Sequence, residues 1–111
     1  MNKPLKIEKS SGNIFADLGF KNADELLLKA QIVIEITRLI KLKKLTQTKA
    51  AKLTGTAQPD LSNLLRGKFR SFSVERLMLM LTDFGRDVDV VVRPTSNTSK
   101  KGEIRFKRMA A

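Results

Sequence analysis

The 111-residue sequence predicts a mainly α fold, a bundle of about four helices followed by a C-terminal β-strand or hairpin. Three observations lead there. Apolar residues recur at helical spacing through most of residues 23–85, glycines at 55, 67 and 85 interrupt that pattern, and at residue 87 it changes to a β-branched run. The chain therefore divides into an N-terminal arm (1–22), a helical domain (23–85) and a C-terminal strand with a basic tail (86–111). Its length supports one compact domain with a modest core.

Residues 1–22 have weak periodicity and contain Pro4, Ser10, Ser11, Gly12 and Gly19; a short strand around Leu5 to Glu8 is read within them. Asn22-Ala-Asp-Glu25 has the form of a capping box, in which the Asn side chain accepts from first-turn N–H groups and Glu25 reaches back. A long helix follows, to about Leu42. Leu26, Ala30, Val33, Thr37 and Ile40 make one apolar stripe along it, Leu28, Ile32, Ile36 and Leu39 a second, and Gln31, Glu35 and Arg38 a polar edge. A helix so widely apolar is either the centre of the core or uses part of its second stripe as a dimer or partner interface.

Lys43-Lys44-Leu45 is a short basic link. Thr46 caps a second helix, Gln47 to Leu53, with Ala50, Ala51 and Leu53 facing inward. Gly55 can take the left-handed conformation that ends it and turns the chain. The third helix starts near Gln58, tolerates Pro59 because first-turn N–H groups lack intrahelical partners, and ends at Gly67. After the basic loop Lys68 to Ser71, Ser73 caps a fourth helix with Val74, Leu77, Met78, Leu81 and Phe84 at core spacing, stopped by Gly85. Asp87 to Arg93 reads as a strand ended by Pro94. Glu103 to Lys107 alternates polar and apolar residues, so it is either a second strand pairing back as a hairpin or a disordered basic tail.

Composition removes most chemistry. The chain has no cysteine and no histidine, which excludes disulfides, thiolate nucleophiles, His-based triads and the usual zinc sites. Thr46-x-x-Lys49 matches a Ser/Thr-x-x-Lys nucleophile pattern, but no second polar group or oxyanion loop accompanies it. No enzyme activity, metal or cofactor is expected. No apolar run approaches a membrane span and no secretion signal is evident, so the expected location is cytoplasmic with no membrane partner.

What remains is charge. The 22 Lys plus Arg against 11 Asp plus Glu give a net charge of +11, which favours a polyanionic partner. Ten basic residues lie between Glu35 and Arg76 against three acids, a local excess of +7. Within that basic region, two short helices joined by a tight glycine turn, the second carrying small polar residues outward, match a helix-turn-helix. The major groove of double-stranded DNA admits one such helix while the preceding helix lies across the backbone. Gln58, Ser62 and Asn63 are the candidate base-reading residues, because amide and hydroxyl groups match the donors and acceptors on base edges. Thr46, Gln47 and Lys49 at the start of the preceding helix, with Lys43, Lys44, Arg66, Lys68 and Arg70 around the unit, are the candidate phosphate contacts.

Leu45 to Leu77, LTQTKAAKLTGTAQPDLSNLLRGKFRSFSVERL, resembles the lambda-repressor-like, Xre-type helix-turn-helix family: Thr-Gln opens the second helix, an Ala-Ala pair packs it, Gly makes the turn, Gln opens the recognition helix and Gly ends it. With SGNIFADLGF before and DVDVVVRP after, the wider pattern is similar to the subgroup of HigA-type antitoxins and small Xre regulators. The resemblance implies a homodimer on a pseudo-palindromic operator, usually repressing its own operon, and in the antitoxin case also a cognate ribonuclease toxin as partner. It also implies that Gln47 touches phosphate and braces Gln58, that Gln58 reads a base, and that Ser62 and Asn63 occupy other reading positions. Two residues depart from the pattern. Ala57 stands where many members have a Ser or Thr cap, so Thr56 or Gln58 is expected to satisfy the helix start, and Pro59 replaces a frequent reading side chain.

Overall fold

A computed structural model describes residues 13–96 and 101–109. It contains five helices: α1 (Ile14–Asp17), α2 (Ala23–Leu42), α3 (Gln47–Thr54), α4 (Gln58–Leu65) and α5 (Val74–Asp83). α2 is the hub, packed against α1, α4 and α5, while α3 lies on α4 and α5. None of the described helices is long and apolar enough to cross a membrane.

Both apolar stripes of α2 are used inside the chain. Leu26, Ala30, Val33 and Ile40 are buried from the first, and Ile32, Ile36 and Leu39 from the second. α2 is therefore the central core helix, and its second stripe is not available as a partner interface. Leu28 and Thr37, at the margins of the stripes, are half-buried. Around α2 the core is completed by Ala50 and Ala51 of α3, Leu61 and Leu64 of α4, Phe72, and Leu77, Met80, Leu81 and Phe84. Leu53, expected inward, is largely exposed, because an eight-residue helix that buries the Ala50-Ala51 edge turns Leu53 away from it. On α5 the buried set is centred one residue away from the expected stripe: Met80 is enclosed, whereas Val74 and Met78 pack only at the core margin.

The helix ends explain the element boundaries. The Thr46 hydroxyl accepts from the Lys49 N–H at 3.1 Å and the Ser73 hydroxyl from the Arg76 N–H at 3.0 Å, as first-turn donors require. Asn22 makes no such cap: its backbone sits at φ −100°, ψ 41°, outside the extended region a capping side chain needs. Glu25 pairs instead with Lys29. The capping Asn is residue 13, whose Oδ1 accepts from Phe15 and Ala16 N–H groups and starts α1 within the stretch read as an arm. The strand expected over Leu5 to Glu8 lies outside the described residues.

No strand is present among the described residues. Asp87 to Arg93 continues from α5 without helix, turn, bend or bridge, because a β-branched run becomes a strand only when a neighbour supplies its hydrogen bonds. Of the two readings of Glu103 to Lys107, the second strand of a hairpin does not form. That segment goes to the helical body: Phe106 packs against the core margin, and Arg108 Nε lies 3.3 Å from Glu35 Oε1. Glu35 also receives two hydrogen bonds from Arg38, at 2.9 and 2.8 Å. Its carboxyl is held below the usual carboxylate range, chiefly by the Arg38 hydrogen bonds, with the Arg108 and Arg86 charges assisting and burial opposing. The polar edge of α2 is thus a clamp for the C-terminal segment.

Candidate nucleic-acid interface

α3 and α4 are joined by three residues, Gly55, Thr56 and Ala57, the first in a geometry that a flexible backbone accepts. Gly55, at φ 67°, caps α3 in the left-handed region, and the Thr56 N–H returns to the Ala51 carbonyl at 3.0 Å. This places the start of α4 directly after the turn. Leu61 and Leu64 are completely buried beneath it, so the outward direction of α4 is fixed by its core side.

At about 100° per residue, that anchoring sets the order of side chains across the outer face: Gln58, Ser62, Arg66, Pro59, Asn63 and Asp60. Gln58 and Ser62 follow one another at i, i+4 along one edge. Pro59 lies mid-face in the first turn and offers no donor. Gln58 is exposed and Ser62 and Asn63 are half-buried. Arg66 Nη1 donates to Ser62 Oγ at 3.2 Å, and Arg66 Nη2 donates to Asn63 Oδ1. Arg66, read from sequence as a phosphate contact, is bonded to two of the candidate reading residues.

The remaining candidates surround this face. Thr46, Gln47 and Lys49 are exposed at the N-terminus of α3, and Lys43 and Lys44 in the turn before it. Lys44 is the described non-glycine residue with positive φ, at 56°, which directs the chain out of α2. Lys68 and Arg70 are exposed in the loop after α4. The unit therefore presents an N-terminal basic flank and a C-terminal one on either side of α4 in sequence.

Three residues outside the expected set position these flanks. Arg76 of α5 donates to the Thr56 hydroxyl at 3.4 Å and stacks on Phe72, with 4.8 Å from guanidinium carbon to ring centre. Thr56 is buried and also accepts from Thr54, so it is spent on the turn, and Ala57 gives α4 no side-chain cap. Lys29, buried in α2, donates to the Arg70 carbonyl at 3.0 Å. Phe20 lies under the Arg70 guanidinium at 5.1 Å, within an edge-to-face aromatic group with Phe15 and Phe69. The N-terminal segment thus orders the loop that follows the recognition helix. None of these three has a local sequence signal: each acts across 20 to 50 residues of chain, where periodicity carries no information.

A family described as "Helix-turn-helix domain" matches residues 14–93. A solved structure titled "Putative XRE Family Transcriptional Regulator" is similar at a TM-score of 0.70 and 32% identity, over 81% of this chain and 99% of that one. No curated protein matches. With the match covering most of its length and the two-helix unit at its centre, the chain belongs to the Xre-type helix-turn-helix family.

Proposed function

We propose that the protein is a sequence-specific double-stranded DNA-binding transcriptional regulator, a homodimeric repressor that reads a pseudo-palindromic operator through the major groove. The observation that carries this reading is the orientation of α4: Leu61 and Leu64 are buried while Gln58, Ser62 and Asn63 lie on its solvent side. Gln58 and Asn63 read base edges through their amides and Ser62 through its hydroxyl. Thr46, Gln47 and Lys49 meet one phosphate run at the N-terminus of α3, where free N–H groups and the helix dipole favour an anion. Lys43, Lys44, Lys68 and Arg70 extend the contact along the backbone, and Arg66 moves from Ser62 and Asn63 to a phosphate on binding.

Selection of binding sites from random duplex DNA at fixed salt tests the proposal. The expected product is a palindrome with half-sites about 34 Å apart, one turn of DNA. Recovery of no enriched sequence, or of single-stranded ligands only, would contradict it. The alternative, a HigA-type antitoxin that holds a ribonuclease toxin, loses the support of the second α2 stripe, which is buried. Its remaining support is the exposed C-terminal chain, and co-purification with a small toxin-like protein encoded beside it is the test.

A further inference from the structure

Three consecutive valines in one segment of the described chain are strongly exposed. Val90, Val91 and Val92 are 77%, 71% and 92% exposed, and Val88 is exposed beside them. The segment they occupy, Asp87 to Arg93, has no helix, turn or bend, and its backbone has no bridge to any other described segment. The nearest candidate within the chain, Glu103 to Lys107, is committed elsewhere through Phe106 and Arg108. Asp87, Asp89 and Arg93 have no ion-pair partner among the described residues.

We propose that Asp87 to Arg93 pairs antiparallel with the same segment of a second copy of this chain, about a two-fold axis at Val90. The inference rests on the homodimer reading above and assigns its interface. Its argument is charge and register. Antiparallel pairing centred on Val90 sets Asp87 opposite Arg93 of the other copy, twice by symmetry, with Asp89 diagonal to the same arginine. It sets Val88 opposite Val92 and Val90 opposite Val90. Because side chains alternate, Val88, Val90 and Val92 of both copies then share one apolar face, and both charged pairs lie on the other.

Other registers fail on the same residues. Parallel in-register pairing opposes Asp87 to Asp87, Asp89 to Asp89 and Arg93 to Arg93, each destabilising. A slip of one residue between the two copies mixes the aspartates into the valine face. Centring on residue 89 opposes the two Asp89 side chains, and centring on residue 91 brings Pro94, which cannot donate a ladder hydrogen bond, into the paired run. Centring on Val90 leaves Pro94 of each copy outside the seven paired residues.

The absence of native cysteine makes the test direct. Val90→Cys is expected to cross-link into a covalent dimer under mild oxidation, whereas Val92→Cys, four residues from its symmetry mate in this register, is not. Sedimentation of Asp87→Arg and Arg93→Asp is expected to show dimer dissociation constants raised about tenfold each, and the double variant is expected to recover most of the loss. All these positions are exposed, so helical content by circular dichroism should not change. A dimeric wild type whose Val90→Cys variant does not cross-link, or whose Asp87→Arg variant dimerises normally, would overturn strand pairing while leaving the homodimer reading intact. A wild type that stays monomeric at all concentrations would overturn both.

Discussion

Arg66 holds Asn63 by its side-chain oxygen, Nη2 donating to Oδ1, while its other terminal nitrogen holds Ser62 at 3.2 Å. In this arrangement one lone pair of Asn63 Oδ1 is engaged, so the guanidinium competes with a base edge for the acceptor that bidentate recognition of adenine uses. Displacement of Arg66 would leave both lone pairs of that oxygen available. A phosphate oxygen is the natural competitor for the guanidinium, and with Asn63 reading a base as proposed, that competition would link backbone contact to base reading within one turn of helix.

Arg66→Ala is accordingly expected to weaken DNA binding nearly uniformly across sequences and to reduce the slope of log K against log salt by about 1. Base preference should persist. The double variant Gln58→Ala, Asn63→Ala should do the opposite, changing preference with little effect on the slope. Titrations at several salt concentrations against the selected operator and a scrambled duplex distinguish the two. An Arg66→Ala protein that loses operator preference would show that the guanidinium itself reads a base.

The clamp at Glu35 predicts a pH dependence. Its folded carboxyl titrates below the usual range while the unfolded one titrates near 4.3. A lowered folded value contributes stability that is present above the unfolded value and is lost as pH falls below it through the folded one. Chemical unfolding between about pH 5 and pH 3 should therefore show a steeper loss for the wild type than for Glu35→Gln. At neutral pH, Glu35→Gln is expected to cost about 1–3 kcal/mol, since it strips charge-assisted hydrogen bonds from a largely buried group. Arg108→Ala, at the half-exposed end of the clamp, should cost under about 1 kcal/mol. Parallel acid profiles for wild type and Glu35→Gln would exclude Glu35 as the source.

The parts of this protein legible in its sequence are those governed by local rules. Thr46, Ser73 and Gly55 mark helix ends through capping chemistry and left-handed geometry, and the apolar spacing of Leu61 and Leu64 sets the outward face of α4. Asn22 misled because a cap depends on backbone angles as well as residue type, and Asn13 has the right ones. The C-terminal strand misled for a different reason: a β-branched composition records a preference for pairing, not the location of the partner. Lys29, Arg76 and Phe20 were invisible because their contacts join segments far apart in sequence.

Lys44 supplies a case where stability and binding are expected to diverge. It occupies φ 56°, a conformation that costs a side-chain-bearing residue roughly 1 kcal/mol or more and glycine almost nothing. Lys44→Gly is expected to raise unfolding stability by about 0.5–1 kcal/mol. The same change removes a positive charge beside α3, so operator affinity at low salt should fall and the salt slope drop by about 1. Unfolding midpoints and salt titrations on one preparation measure both. A variant that is less stable than the wild type would mean the lysine side chain makes a compensating contact.

Ala57 is the complementary case, a helix start that lacks its cap. Its backbone, at φ −61° and ψ 139°, already has the extended geometry of a capping residue, yet no side-chain oxygen is present. Pro59 occupies the second helical position and has no N–H, which leaves the Asp60 N–H as the donor a cap at residue 57 would satisfy. Thr56 is occupied by Thr54 and Arg76. Ala57→Ser is thus expected to raise stability by about 1 kcal/mol, read as a higher urea midpoint at unchanged slope. Because residue 57 precedes the reading face, operator preference should be unaltered. No gain in midpoint would mean the Asp60 N–H is already satisfied by solvent or by Asp60 itself, and that the departure from a Ser or Thr cap carries no penalty at this helix.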